Sequence, residues 1–180
     1  MKTAGTARYA YNWALAKWKQ MYADYEKDHE AQKPSAYVLS KIWTSEKPEW
    51  ASETARCAQT SAILNVGQAF QNLWKGRTKY PTFHKKGRKD TFCVDNTHAR
   101  IRDSFIQLPN IGRVKLAEKH RFDGKILSYT VSHYADQWYV SVQVELQDDP
   151  RPQPTNSTVG VDVGLLHVAI ASDGTTCDAL

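Results

Sequence analysis

The sequence predicts an α+β fold: a helical first half, a β-rich second half, and a short further strand pair behind a linker. Three observations carry this. Aromatic and aliphatic residues recur at steps of three and four through residues 8–28 and 52–74, whereas apolar and polar residues alternate through residues 137–146. Between the β-rich part and the C-terminal strands, QDDPRPQPTNS, residues 147–157, carries three prolines and almost no apolar side chain.

In the first helix, residues 8–28, Tyr11, Leu15, Trp18, Tyr22 and Tyr25 put four rings and a leucine on one stripe, which requires burial. A second, short helix at 36–43 follows the Pro34-Ser35 start and ends before SEKPEW. The third, residues 52–74, has Ala55, Ala58, Ala62, Val66, Ala69 and Leu73 on one face and Gly76 as its stop.

The β-like segments are SFIQL, GRVKLAE after a Pro-Asn-Ile-Gly turn, KILSYTVSHY and QWYVSVQVEL, the last two joined as a hairpin through Ala135 and Asp136. In the final strand Trp138, Val140, Val142, Val144 and Leu146 are expected to face a core, with Tyr139, Ser141, Gln143 and Glu145 facing water. A small twisted sheet or barrel with one polar face suits this pattern, and such barrels recur as nucleic-acid platforms. Behind the linker, residues 159–163 read as a strand, 166–171 as its hairpin partner and Ser172-Asp173-Gly174 as the next turn. The organisation is therefore 1–76, helical; 77–147, β-rich with a basic lead-in; 148–157, linker; and 158–180, the start of a further domain.

No run approaches 18 apolar residues, and the basic start MKTAGTARYA lacks the apolar stretch of a signal peptide, so the expectation is a cytoplasmic protein without a membrane partner. Cys57, Cys93 and Cys177 are odd in number and lack CxxC spacing, which points to plain thiols and to no zinc within these residues. A net charge of +5 permits a polyanionic partner, and its location matters more than its size.

That location is KGRTKYPTFHKKGRKDTF, residues 75–92. Lys75, Arg77, Lys79, Lys85, Lys86, Arg88 and Lys89 stand against one acid, Asp90, with Tyr80, Phe83, His84 and Phe92 interleaved. A solvated linker is one reading. A nucleic-acid contact segment is the better one, because cations neutralise phosphates while rings stack on bases or sugars.

TVGVDVGLLHVAIASDG, residues 158–174, sets Asp162 between Val161 and Val163 in an apolar strand. A buried, unpaired carboxylate costs several kcal/mol by order of magnitude, so Asp162 needs a partner, a turn to cap, or a strand end that meets water. A metal-binding carboxylate for phosphodiester hydrolysis fits the pattern. A phosphate-embracing hairpin of the kind that opens actin-like kinases fits it as well.

RYAYNWALAKW, AQTSAILNVGQAFQNLW, YPTFHKKGRKDTF, IQLPNIGRVKL, GKILSYTVSHYADQWYVSVQVEL and VGVDVGLLHVAIASDG, in this order, resemble the OrfB/TnpB proteins of IS200/IS605 insertion sequences and, more remotely, the type V CRISPR nucleases. The resemblance covers nearly the whole chain. It implies the N-terminal part of a transposon-encoded, RNA-guided DNA endonuclease, of the kind historically labelled transposase. The implied fold is a helical recognition domain, an oligonucleotide-binding-like barrel, and the first hairpin of an RNase H-like (RuvC) nuclease domain.

The resemblance also assigns residues. Asp162 falls on the first of three catalytic acids that hold divalent metal, usually Mg2+, in a two-metal arrangement. Arg56 and Thr60 fall near positions on the third helix that contact duplex DNA beside the target, where Lys and Gln are typical, and Cys93 falls on a further contact position. Guide RNA and double-stranded DNA are the implied partners. The family's opening basic β-strand is absent, so the expected barrel lacks an edge strand. The chain also ends at Leu180 ahead of the family's catalytic Glu, four-cysteine zinc finger and last Asp, so these residues are expected to be a truncated piece that binds without cutting. From another class, exposed tryptophans would serve a protein-interaction module.

Overall fold

Helix α1 (Lys2–Lys27) begins six residues before the expected start at residue 8. Thr3, Ala4, Thr6 and Ala7 are buried and continue the spacing of Ala10, Tyr11, Ala14, Leu15 and Trp18. Small residues let a neighbouring helix approach closely, and a pattern read from large side chains passes over them. The other end of the stripe departs from expectation: Tyr22 is 37% exposed and Tyr25 is half-buried, because the partner elements end before them. The structure, a computed structural model, describes residues 2–88, 90–119, 124–146, 158–164 and 167–177.

Helix α2 (Ala36–Glu46) is capped by Ser35, whose Oγ accepts from the Val38 N–H at 3.2 Å, and it buries Leu39 and Trp43 one turn apart. A 3-10 helix (Glu49–Glu53) follows Pro48 and leads into α3 (Arg56–Trp74). The third helix buries Ala58, Gln59, Ala62, Ile63, Val66, Gly67 and Phe70, with Ala69 and Leu73 only half-buried. A Cβ at Gly67 would lie 2.8 Å from the Cβ of Ala36, so α2 and α3 meet where only glycine fits. Helix α3 stops at Gly76 as expected: its φ is +68°, its N–H donates to Leu73 O, and Arg77 N–H donates to Asn72 O, a Schellman closure.

The β region supplies β1 (Thr91–Asp95), β2 (Arg100–Arg102), β3 (Phe105–Leu108), β4 (Gly112–Lys115), β5 (Lys125–Tyr134) and β6 (Gln137–Glu145). The β5–β6 hairpin turns through Ala135 and Asp136, whose φ values of 47° and 62° are the left-handed pair that a tight two-residue turn needs. All pairings are antiparallel, and they give two separate three-stranded sheets, β1-β5-β6 and β2-β3-β4. The ladders among the described residues therefore do not close into one barrel.

Register gives the first sheet two faces. Phe92, Val94, Tyr129 and Val131 are buried on one, continued by Val140 and Val142 opposite Val131 and Tyr129. The β6 residues expected to be core are only half-buried at Val140, Val142 and Val144, and Trp138 is 37% exposed. They line an open cleft of about 690 Å3, walled on its other side by Ile101, Ile106, Leu108 and Val114 of the second sheet and by Ile111 of its β3–β4 turn. An alternating pattern identifies the apolar face of a strand but not how completely another layer covers it. Leu146 is half-buried just beyond the strand.

Two compact units result, Met1–Gln147 and Asp148–Leu180. In the first, α1 packs on α3, and both helices pack on β1. The second holds a three-stranded meander of β7 (Val161–Asp162), β8 (Ala169–Ala171) and β9 (Thr176–Cys177). Val161 pairs with Ala171 and Asp162 with Ile170, the hairpin anticipated from the sequence in shortened form. The expected start of its second strand, Leu166, lies outside the described residues, and β9 was not anticipated. No helix among the described residues is long and apolar enough to cross a membrane.

Val159, Val161, Val163, Val168 and Ile170 are all at least 42% exposed. Strands of two and three residues with uncovered apolar side chains have little to oppose local opening. Amides of residues 161–162 and 169–171 are therefore expected to exchange hydrogen far faster than those of β5 and β6. Protection equal to that of Gln137–Glu145 would overturn this.

Candidate nucleic-acid interface

The basic run does not float between two halves of the chain; it is strapped along α1. Asn12 clamps the backbone at His84 in both directions, Nδ2 donating to His84 O at 3.0 Å and Oδ1 accepting from His84 N–H at 2.8 Å. The Tyr11 and His84 rings stack at 3.8 Å with planes 5° apart, Pro81 is buried, and Tyr80 meets Phe70 edge-on at 5.6 Å. Phe70 in turn stacks on Trp18 of α1 at 4.7 Å, so the strap rests on the helical core. Asp90, the one acid of the run, is taken up by an ion pair with Arg8.

Along this strap Lys75, Arg77, Lys79, Lys85, Lys86 and Arg88 are all exposed, and none forms an ion pair with another described residue. Lys89 lies outside the described residues. Gly87, with φ +79°, turns the strand between Lys86 and Arg88. The result is a row of solvated cations on a fixed backbone, which suits a polyanion's regularly spaced phosphates.

The helix α3 positions stand near a second surface. Arg56 is the first residue of the helix, and its Nη2 donates to Thr44 Oγ1 of α2 at 3.4 Å; Thr60 is half-buried one turn on, on the same side. Cys93 is half-buried on β1, the strand against which α3 packs. Burial pushes the neighbouring Cys57 thiol up, only partly offset by backbone hydrogen bonds, so it stays protonated at neutral pH. All three cysteines are free.

Cys93 belongs to a wider polar face. Directly paired residues point the same way, so the sheet presents three rows: Thr91, Ser132, Tyr139; Cys93, Thr130, Ser141; and Asp95, Ser128, Gln143. Ser128 Oγ donates to Gln143 Oε1 at 2.9 Å across the last row. Where α1 and α3 overhang this face, Arg8, Asn65, Cys93 and Thr130 are among the residues lining a cavity of about 280 Å3.

Asp95 ends the face in a tight polar turn. Its Oδ1 accepts from Thr97 N–H at 3.0 Å, Thr97 Oγ1 at 2.6 Å and His98 N–H at 3.1 Å, and lies 2.7 Å from His98 Nδ1. Desolvation is the largest single influence and raises the carboxyl, but the hydrogen bonds from Thr97 and His98 together outweigh it and hold it below the usual value. With the folded value lowered, this stabilisation is present above the unfolded value, about 3.9, and is lost as pH falls through the folded one. Asp95→Asn is expected to lower stability at neutral pH and to flatten its decline below about pH 4. Denaturant melts on both sides of that pH check this; an unchanged acid limb would count against it.

Asp162 does not sit in an apolar core. It is exposed on β7, and its flanking valines are 63% and 76% exposed, with no second layer among the described residues covering them. No group of three or more His, Cys, Asp or Glu that could hold a metal exists among the described residues. Asp173 is engaged in its own turn, where the Thr175 N–H donates to it at 2.9 Å and lowers its carboxyl. One exposed carboxylate falls short of the several oxygen ligands that Mg2+ draws on, so these residues do not fit that ion.

Sequence reasoning passed over Arg8, Asn12 and Lys19 of α1 and Gln59 of α3. The available signal was faint: Asn12 follows buried Tyr11, and Gln59 falls on an otherwise apolar face.

These features define an α+β module with a basic, ring-bearing strap fixed to its first helix. Residues 1–27 match the helix-turn-helix domain of OrfB proteins of the IS605 type. Over 96% of its length the chain is similar to the Escherichia coli protein named "Putative RNA-guided DNA endonuclease InsQ", at 27% identity over 179 residues, and it covers 43% of that protein. Two Mycobacterium tuberculosis proteins carrying the same description, MT2953 and Rv2885c, are each 29% identical over 205 residues, covering 94% of this chain and 44% of their own. The chain is thus similar to OrfB-type proteins along nearly its whole length, and it spans less than half the length of the curated relatives it matches.

Proposed function

We propose that this chain is the nucleic-acid-binding N-terminal portion of a TnpB-like, RNA-guided DNA endonuclease, which holds a guide RNA and the DNA it targets. The strap carries this reading. A run of exposed cations is pinned to α1, and Arg8 neutralises its single acid. Loose solubilising charge needs no such anchoring, whereas a surface that positions a phosphate backbone does. In this reading the three helices are the recognition domain, and the two sheets make up an open, oligonucleotide-binding-like β region. Arg56, Thr60 and Cys93 meet the DNA duplex beside the target, and Lys75 to Lys89 meet backbone phosphates. The second unit then opens a RuvC-type domain, in which Asp162 is one of several carboxylates around Mg2+. The setting is the cytoplasm, where transposon DNA and its transcript are both accessible.

Fluorescence anisotropy of the 180-residue chain with structured RNA and with duplex DNA tests this. Binding that weakens steeply with salt is expected, and it should be unaffected by Asp162→Asn, since a metal ligand makes no backbone contact that sets affinity. A lone carboxylate is no metal site, so labelled DNA incubated with Mg2+ or Mn2+ should remain intact. Failure to bind either nucleic acid would overturn the proposal, and cleavage abolished by Asp162→Asn would overturn the division between binding and cutting.

A further inference from the structure

The strap changes character along its length. From Trp74 to Phe83 the sequence WKGRTKYPTF alternates rings with cations and contains no acid, while the stretch beyond His84 carries cations and turns but no exposed ring. We propose that Trp74, Tyr80 and Phe83, with Lys19 against the latter two, form a stacking site for unpaired nucleotides of an RNA strand, separate from the phosphate contacts made by Lys85, Lys86 and Arg88. The inference rests on the reading above, which brings an RNA to this chain.

Three observations point to it. The rings are 57%, 53% and 51% exposed, a large apolar area for one short stretch to leave in water. Two of them are nonetheless held firmly from beneath. Trp74 lies 6.0 Å from the Phe70 ring and 6.3 Å from Trp18, and Tyr80 meets Phe70 at 89°. The left-handed turn at Gly76 reverses the chain so that residues on either side of it reach the same buried ring. Finally, the Lys19 ammonium stands 5.2 Å from the Tyr80 centroid and 5.0 Å from that of Phe83. Lys19 thus supplies the patch with a cation for a phosphate of the bound strand.

Ring and charge together select the ligand. Duplex bases are stacked on one another and offer a side-chain ring no free π-face, so cations alone suffice for a duplex, whereas rings add affinity only for unpaired bases. A protein partner would leave Lys19, Lys75, Arg77 and Lys79 to be neutralised by a matching acidic surface, and nothing in the patch requires one.

The experiment measures anisotropy of the full 180-residue chain with an unstructured RNA oligonucleotide, a DNA strand of the same sequence and a DNA duplex. Trp74→Ala and Phe83→Ala are each expected to weaken unpaired RNA by about tenfold, within the range per stacked base, and the duplex by less than about twofold. The salt slope should not change, because every cation that meets a phosphate is still present. Phe83 touches Lys19 rather than the core, so its variant keeps the fold, and Trp74→Phe and Phe83→Tyr should restore most of the affinity. Equal loss on the duplex, a reduced salt slope or unchanged RNA binding would each overturn the stacking site. An equal starting affinity and equal loss on the DNA strand would overturn its assignment to RNA. A chain that binds no nucleic acid at all would instead refute the broader function.

Discussion

Replacing Lys85, Lys86, Arg88 and Lys89 together with alanine is expected to weaken duplex binding and to flatten its logarithmic salt dependence by up to about 0.9 for each phosphate that is no longer neutralised. Even two such phosphates, scaled from a 1 M salt reference to 0.1 M, amount to roughly sixtyfold in affinity by the same relation. The described members of this set, Lys85, Lys86 and Arg88, are exposed, and the strap is anchored without them, through Asn12, Tyr11 and buried Pro81. The quadruple variant should therefore melt like the parent, and any loss of binding reports on the interface. Affinity and slope both unchanged would remove this part of the strap from the binding surface.

The second large effect is on stability. Gln59 is 1% exposed and ties three elements together. Its Oε1 accepts from Trp43 Nε1 of α2 at 3.0 Å. Its Nε2 donates to Ala51 O of the 3-10 helix at 2.6 Å, and to Thr54 O at 3.2 Å and Thr54 Oγ1 at 3.1 Å just ahead of α3. Gln59→Ala would strand a buried indole N–H and a buried carbonyl and open a cavity as well. Each orphaned group costs about 1–3 kcal/mol, so a total on the order of 3 kcal/mol or more is expected in denaturant melts. Arg56 and Thr60 sit on the same turn of helix, so duplex binding should weaken alongside stability. A loss below about 1 kcal/mol would mean that this network does not fix the start of α3.

Legibility in the sequence follows the range of each interaction. The Pro34-Ser35 helix start, Gly76 as a stop and Ala135-Asp136 as a hairpin turn were all readable, because each depends on backbone conformation within a few residues. The burial of Thr3, Ala4, Thr6 and Ala7 was not, since small residues leave no hydrophobic signature and declare themselves only when another helix lies against them. The same limit explains β6. Alternation marked Val140, Val142 and Val144 as one face, but how far a second sheet covers that face depends on strands far away in the chain.

The candidate site divides along the same line. That residues 75–92 are basic, ringed and nearly free of acid is a property of composition, and local sequence determines it whatever the fold. Its conversion from a charged linker into a surface is a tertiary matter. Asn12 reaches His84 across 72 positions and Arg8 reaches Asp90 across 82, and such pairings exist only once α1 has docked on α3 and β1. Asp162 shows the converse. Its valine neighbours read as a strand core, yet burial needs a covering layer, and the short sheet that holds it leaves those valines exposed. By itself the sequence determined where helices, turns and charge lie, because those follow from local backbone preference and residue chemistry. Only tertiary packing decided which faces are covered, which polar groups are paired and which cations are held in place, because those depend on groups brought together from distant parts of the chain.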